Sequence, residues 1–174
     1  VQSCEGVTLT VLGETLDGQT IDCLTIGEAS KKKRTIWVTA RQHPGETMAE
    51  WWMEGFLDRL LDPDDPVSRK LRPKAVFHIV PNMNPDGSKR GHLRTNAKGV
   101  NLNREWDKAS LENSPEVFHV LNRMRETGID LALDVHGDED LPYNFIAGGE
   151  GAPNFEQRGQ VNLDAYKAAL CAAS

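Results

Sequence analysis

A histidine and a carboxylate stand three residues apart in Arg41-Gln42-His43-Pro44-Gly45-Glu46, where one apolar run ends and a helical pattern begins. A second histidine, His136, closes another short apolar run, Leu131-Ala132-Leu133-Asp134-Val135. Two imidazoles and one carboxylate suit zinc, and three protein ligands leave a fourth position open, as catalytic zinc sites do. A metal held there would lower the pKa of a water and polarise a scissile carbonyl. Taken alone, His-x-x-Glu is weak, because a capped helix beside a satisfied histidine has the same spacing. Its placement adds weight: α/β sheets build their sites at the carboxyl ends of strands, and Pro44-Gly45 imposes a tight turn. His78, His92 and His119 have no such partners. His78 reads as core or strand-facing, the other two as surface.

The span from Asn82 to Trp106 is too polar for a core and too rich in turn residues for a helix. Long ordered loops in compact domains are more often functional. Arg94 and Arg104 could each present a planar guanidinium fork to a carboxylate, which lysine cannot do. Surface arginines on a long loop are the plainer alternative.

The elements that must position these residues follow from periodicity. Residues 7–12, 20–26, 35–40, 75–80 and 131–135 read as strands, the third apolar enough to be central. Apolar residues recur at helical intervals from Thr47 to Leu61, in a row Met48, Trp52, Phe56, Leu60 beside a row Ala49, Met53, Leu57, Leu61. That period makes Trp52 a core residue. Ser114-Pro115-Glu116 opens a helix that Gly128 stops, and a last helix covers part of Asn162–Ala173. The order predicts one α/β domain, a mixed β-sheet flanked by helices.

The 174 residues suit a single domain with a real core, and the net charge of −6 argues against bulk attraction to nucleic acid or an anionic membrane. No apolar run is long enough to span a bilayer. The basic run Lys31-Lys32-Lys33-Arg34 reads as a solvated hairpin loop between the second and third strands. Cys4, Cys23 and Cys171 are spread too widely for a metal or disulfide framework and read as buried thiols in a reducing compartment.

Four strings occur in a fixed order: His43-Pro44-Gly45-Glu46, Asn84-Pro85-Asp86-Gly87, Asn101-Leu102-Asn103-Arg104-Glu105-Trp106 and Asp134-Val135-His136-Gly137. In this order the chain resembles zinc carboxypeptidases of the M14 type, particularly the cytosolic carboxypeptidase branch and its bacterial members. The resemblance implies a zinc-carboxypeptidase-like fold, a Zn2+ cofactor, peptide or protein C-terminal tails as substrates, and a cytoplasmic location. It implies that His43, Glu46 and His136 are the zinc ligands and that Arg94 steadies the oxyanion. It assigns Asn103 and Arg104 to the substrate's terminal carboxylate. Asn101 falls where many secreted relatives carry an aspartate that orients the first histidine; an amide can still accept that hydrogen bond with less negative charge.

One departure accompanies the resemblance. The family's general-base glutamate and mobile tyrosine lie well downstream of the third ligand, and Glu139, Glu150 and Tyr143 do not match them. Glu139 and Glu150 read as loop acids. The expectation is that residues 1–174 form the amino-terminal part of a catalytic domain, inactive alone. An acyl-amino-acid amidohydrolase of the succinylglutamate desuccinylase and aspartoacylase type shares part of the layout, and a catalytically dead module that binds C-terminal tails is a third reading.

Overall fold

The computed structural model describes residues 4–173 except 139, 142, 151, 153, 154 and 156. The chain divides into two compact units, Val1–Gly137 and Asp138–Ser174. The first contains strands β1 (Val7–Glu14), β2 (Thr20–Ile26), β3 (Arg34–Ala40), β4 (Ala75–Val80) and β5 (Leu131–Val135). Its helices are α1 (Met48–Leu61), α2 (Pro66–Leu71), α3 (Pro85–Arg90) and α4 (Pro115–Thr127). The second unit carries α5 (Gln157–Ala173). Glu139 lies outside the described residues; Glu150 is an exposed acid paired with Lys167 at 2.9 Å.

The sheet runs in the order β1-β2-β4-β3-β5. β1 and β2 form an antiparallel hairpin, β2 joins β4 antiparallel, and β4, β3 and β5 run parallel. Inserting β4 between β2 and β3 corrects the reading of Lys31–Arg34 as a hairpin loop: the strands it joins are not neighbours. Arg34 itself belongs to β3 and pairs with Asp130 at 3.0 Å.

Successive strand side chains point to opposite faces, and both faces here are covered. On one, Leu24, Ile26, Val38, Ala40, Phe77 and Ile79 pack with Ala49, Met53, Leu57 and Leu60 of α1. On the other, Ile21, Cys23, Trp37 and Val80 pack with Val117, Val120 and Met124 of α4. The buried stripe of α1 is therefore centred on the second of the two rows read from the sequence. Met48 and Trp52 sit at its rim, each 43% exposed, and Trp51 is 71% exposed. Trp52 is not core; it stacks on Phe56 at 5.0 Å between ring centroids.

His78 is buried in mid-strand, 4.8 Å from the Trp37 ring and with Nδ1 3.0 Å from the Thr25 hydroxyl. Burial, helped by the positive charge of Arg123, pushes its pKa down. His92 and His119 are half-buried rather than surface residues. Cys23 is buried, with its thiol pushed up to about 11 by desolvation, whereas Cys4 and Cys171 are exposed, against the expectation of buried thiols. No helix among the described residues is long and apolar enough to cross a membrane.

Candidate metal centre

Parallel pairing of β3 with β5 places Ala40 opposite Val135. The loops that follow, carrying His43 with Glu46 and His136, leave the same end of the sheet side by side. β4 ends there too, opposite Thr39, and leads into the Asn82–Gly87 turn. Three carboxyl ends of strands thus converge, as α/β sites require.

Small residues bring the loops close. The Gly45 amide donates to the Leu93 carbonyl at 2.8 Å, and a Cβ at Gly45 would meet that oxygen at 2.8 Å. This contact sets Arg94 beside Glu46. A Cβ at Gly87 would meet Pro44 Cγ and the Thr95 carbonyl, both at 2.5 Å, so a side chain there would push the two loops apart. α3 begins inside the stretch that the sequence excluded from helix. Asn84 accepts from the Gly87 amide at 3.0 Å and Pro85 occupies the first turn, a capped start that turn-rich composition conceals. The buried Asp86 then accepts from the Thr15 hydroxyl at 2.6 Å and the Asp17 amide at 3.0 Å, tying this turn to the β1–β2 hairpin.

Among the residues read from the sequence, His43, Glu46 and His136 come together, with one potential ligand atom each and all of these within 4.8 Å of one another. His43 and Glu46 are buried, His136 half-buried. Glu46 Oε1 lies 2.7 Å from His43 Nδ1, and Oε2 lies 2.8 Å from His136 Nδ1. The Gly137 amide also donates to Oε2 at 3.0 Å. On the far side of each ring, Nε2 meets an acceptor: Asn101 Oδ1 at 3.0 Å for His43, Asp134 Oδ2 at 2.7 Å for His136. A neutral ring that donates through Nε2 leaves a lone pair on Nδ1. Both lone pairs then face the oxygens of one carboxylate. Such a cluster is stable when the rings are protonated or when a cation sits among the three, so the donor set fits a divalent metal of the zinc kind.

The electrostatics follow. Burial raises the Glu46 pKa, but hydrogen bonds from His136, the Gly137 amide and His43 outweigh it and hold the carboxyl at about 2. The hydrogen bonds to Asp134 and then Glu46 lift His136 to about 9 against its partial burial. A metal would take the place of that proton.

Arg94 lies 3.8 Å from Glu46 Oε1 and is half exposed. Asn103 Nδ2 is 3.5 Å from His136 Nε2, in a short 3-10 turn over Leu102–Arg104. Arg104 is exposed and donates to the Asn103 carbonyl at 2.7 Å. Two residues here had no role assigned from sequence. Asp134, near the end of β5, stands two residues before His136, a spacing that could have marked it. Arg41, the one described non-glycine residue with positive φ (56°), donates through Nε to the Pro44 carbonyl at 3.0 Å and pairs with Glu50. No sequence pattern announces that backbone.

Residues 2–169 match the zinc carboxypeptidase family, peptidase M14. The chain belongs to that family. It is 62% identical over 152 residues to an uncharacterized protein of Zymomonas mobilis, a match covering 87% of this chain and 39% of that one. It is 45% identical over 86 residues to human cytosolic carboxypeptidase-like protein 5, covering 49% of this chain and 10% of that one. A crystal structure of a carboxypeptidase A candidate from Shewanella denitrificans superposes with a TM-score of 0.97 at 57% identity, covering 99% of this chain and 46% of that one. The zinc-carboxypeptidase fold is therefore shared, and the chain spans less than half the length of each of these relatives. The amidohydrolase reading is not favoured by these matches.

Proposed function

We propose that the protein is a zinc-dependent carboxypeptidase hydrolysing the last peptide bond of peptides or protein tails. His43, Glu46 and His136 are the residues that would hold the metal. The observation carrying this reading is that two imidazole Nδ1 atoms converge on one buried carboxylate while both Nε2 atoms are engaged by acceptors. Bound zinc supplies Lewis acidity and an activated water at neutral pH.

The chain's own residues do the rest. Arg94, on the loop pinned to Gly45, directs its guanidinium to the negative charge that develops on the scissile carbonyl oxygen. Asn103 and Arg104 hold the substrate's terminal carboxylate, the amide by donation and the guanidinium by charge and fork geometry. That grip makes the reaction an exopeptidase one, because an internal peptide bond offers no such anion. The general base is proposed to come from outside these 174 residues, which serve as part of a longer catalytic domain. Supporting this, the Shewanella denitrificans structure is more than twice the length matched here. A cytoplasmic location is proposed from the similarity to cytosolic carboxypeptidase-like protein 5.

The test is hydrolysis, by the product of the complete gene, of one peptide with a free and with an amidated C-terminus. Release of the terminal residue from the free peptide alone supports the proposal. Equal cleavage of both, or of neither, overturns it.

A further inference from the structure

Behind His136 lies a run of hydrogen bonds in which every link has one permitted direction. It begins at Trp106, whose indole N–H donates to Gln42 Oε1 at 3.0 Å. An indole nitrogen can only donate, so the amide oxygen of Gln42 must face it and the amide NH2 must face the other way. That NH2 donates to Asp134 Oδ2. Asp134, as a carboxylate, can only accept. It also takes the Thr39 hydroxyl at 2.8 Å, from the residue directly opposite in the β3–β5 pairing, and His136 Nε2 at 2.7 Å. Gln42 has no freedom to reorient. It is 1% exposed, and its backbone carbonyl accepts from Asn84 Nδ2 at 3.0 Å.

Taking His136 as a metal ligand, as proposed above, we infer that Asp134 and Gln42 are positioning residues that fix the His136 proton on Nε2, leave Nδ1 for the metal, and connect this setting through Trp106 to the turn bearing Asn103 and Arg104. The three contributing segments are far apart in sequence, at residues 42, 106 and 134. Gln42 is the only amide in the run, and it joins a group that can only donate to one that can only accept. Glutamate would match the indole but turn an acceptor towards Asp134. Methionine would match neither and repel neither. Trp106 stands two residues beyond Arg104, so the loop that grips a carboxylate and the strand that aims a metal ligand meet at one buried amide.

The experiment measures zinc affinity by chelator competition on the product of the complete gene, with thermal midpoints to confirm folding. Imidazole 15N shifts of His136 are read in the metal-free protein at a pH high enough to leave the ring neutral. In Asp134→Ala, the expected result is a 10- to 100-fold loss of zinc affinity, roughly the usual cost of removing such a support, with His136 passing from the Nε2–H form to a mixture. Gln42→Glu, although isosteric, is expected to lose more affinity than Gln42→Met. Unchanged affinity and tautomer in Asp134→Ala overturns the inference, as does a Gln42→Met variant at least as damaged as Gln42→Glu, which would reduce Gln42 to packing. If the wild type takes up no zinc, the metal reading falls separately, and the tautomer of the metal-free protein still decides the hydrogen-bond run.

Discussion

Two glutamates, both hidden from solvent, end at opposite extremes of acidity. Glu46, in the loop after β3, is 6% exposed; Glu116, in the first turn of α4, is fully buried. Burial raises the pKa of each. Around Glu46, three hydrogen-bonding groups converge and hold it at about 2. Around Glu116 burial dominates: its own backbone amide and the Asn96 amide, at 3.3 Å, oppose it, its Oε1 has no hydrogen-bond partner among the described residues, and Asp86 and Asp17 add negative charge, so it rises to about 7. An interior carboxyl stays an anion only where converging donors outweigh its burial, as they do at Glu46 and not at Glu116. Of the two, Glu46 is the one held as an anion, as a metal ligand must be.

The largest effect is expected when Glu46 loses its charge. Glu46→Gln is expected to lower zinc affinity by more than about 100-fold, beyond the cost of removing a mere supporting group, and chelator competition measures it. Arg104→Ala is expected to reduce kcat/KM about 10- to 100-fold on peptides with a free C-terminus, the range for losing a hydrogen bond to a charged group. Zinc affinity should not follow, which separates grip from metal.

A pH series on the metal-free protein sharpens the contrast. Glu46, depressed to about 2, contributes stability that is present above its unfolded value and lost as pH falls through about 2. His136, raised to about 9, contributes stability that is complete below its unfolded value and lost as pH rises through about 9. Urea midpoints should therefore be highest between these limits, and zinc should restore the alkaline limb. The smallest effect is expected at Glu116. Its folded pKa is raised, so its contribution is complete below the unfolded value and disappears as pH rises through about 7. Glu116→Gln should stabilise the protein at pH 8 by about 1–3 kcal/mol, the cost of ionising a carboxyl that the fold prefers neutral, and change little at pH 5.

Much of this architecture is legible before any coordinates. Period-two and period-3.6 patterns locate all five strands and both α1 and α4, since those elements bury a face and periodicity is the signature of burial. His43, Glu46 and His136 are legible because each follows an apolar run at a strand end. What escapes is set by distant partners. α3 hides in a polar stretch because its start is fixed by Asn84 capping and by Asp86 reaching the β1–β2 hairpin. Trp52 has the right period and still lies at the rim, because the centre of the α1 stripe depends on where the sheet sits. The place of β4 between β2 and β3 is a matter of pairing, which no local pattern carries. Gln42 reaches Trp106 and Asp134, which lie 64 and 92 residues away along the chain, whereas Asp134 stands only two residues from His136.

The central claim is that three side chains at the carboxyl ends of β3 and β5 hold one zinc ion. Metal content by elemental mass spectrometry, on the complete gene product purified and then offered zinc, tests it most directly. The account predicts about one zinc per wild-type chain and almost none in Glu46→Gln or His136→Ala variants that remain folded. A folded wild type that takes up no zinc, or variants that hold as much as it does, would contradict it.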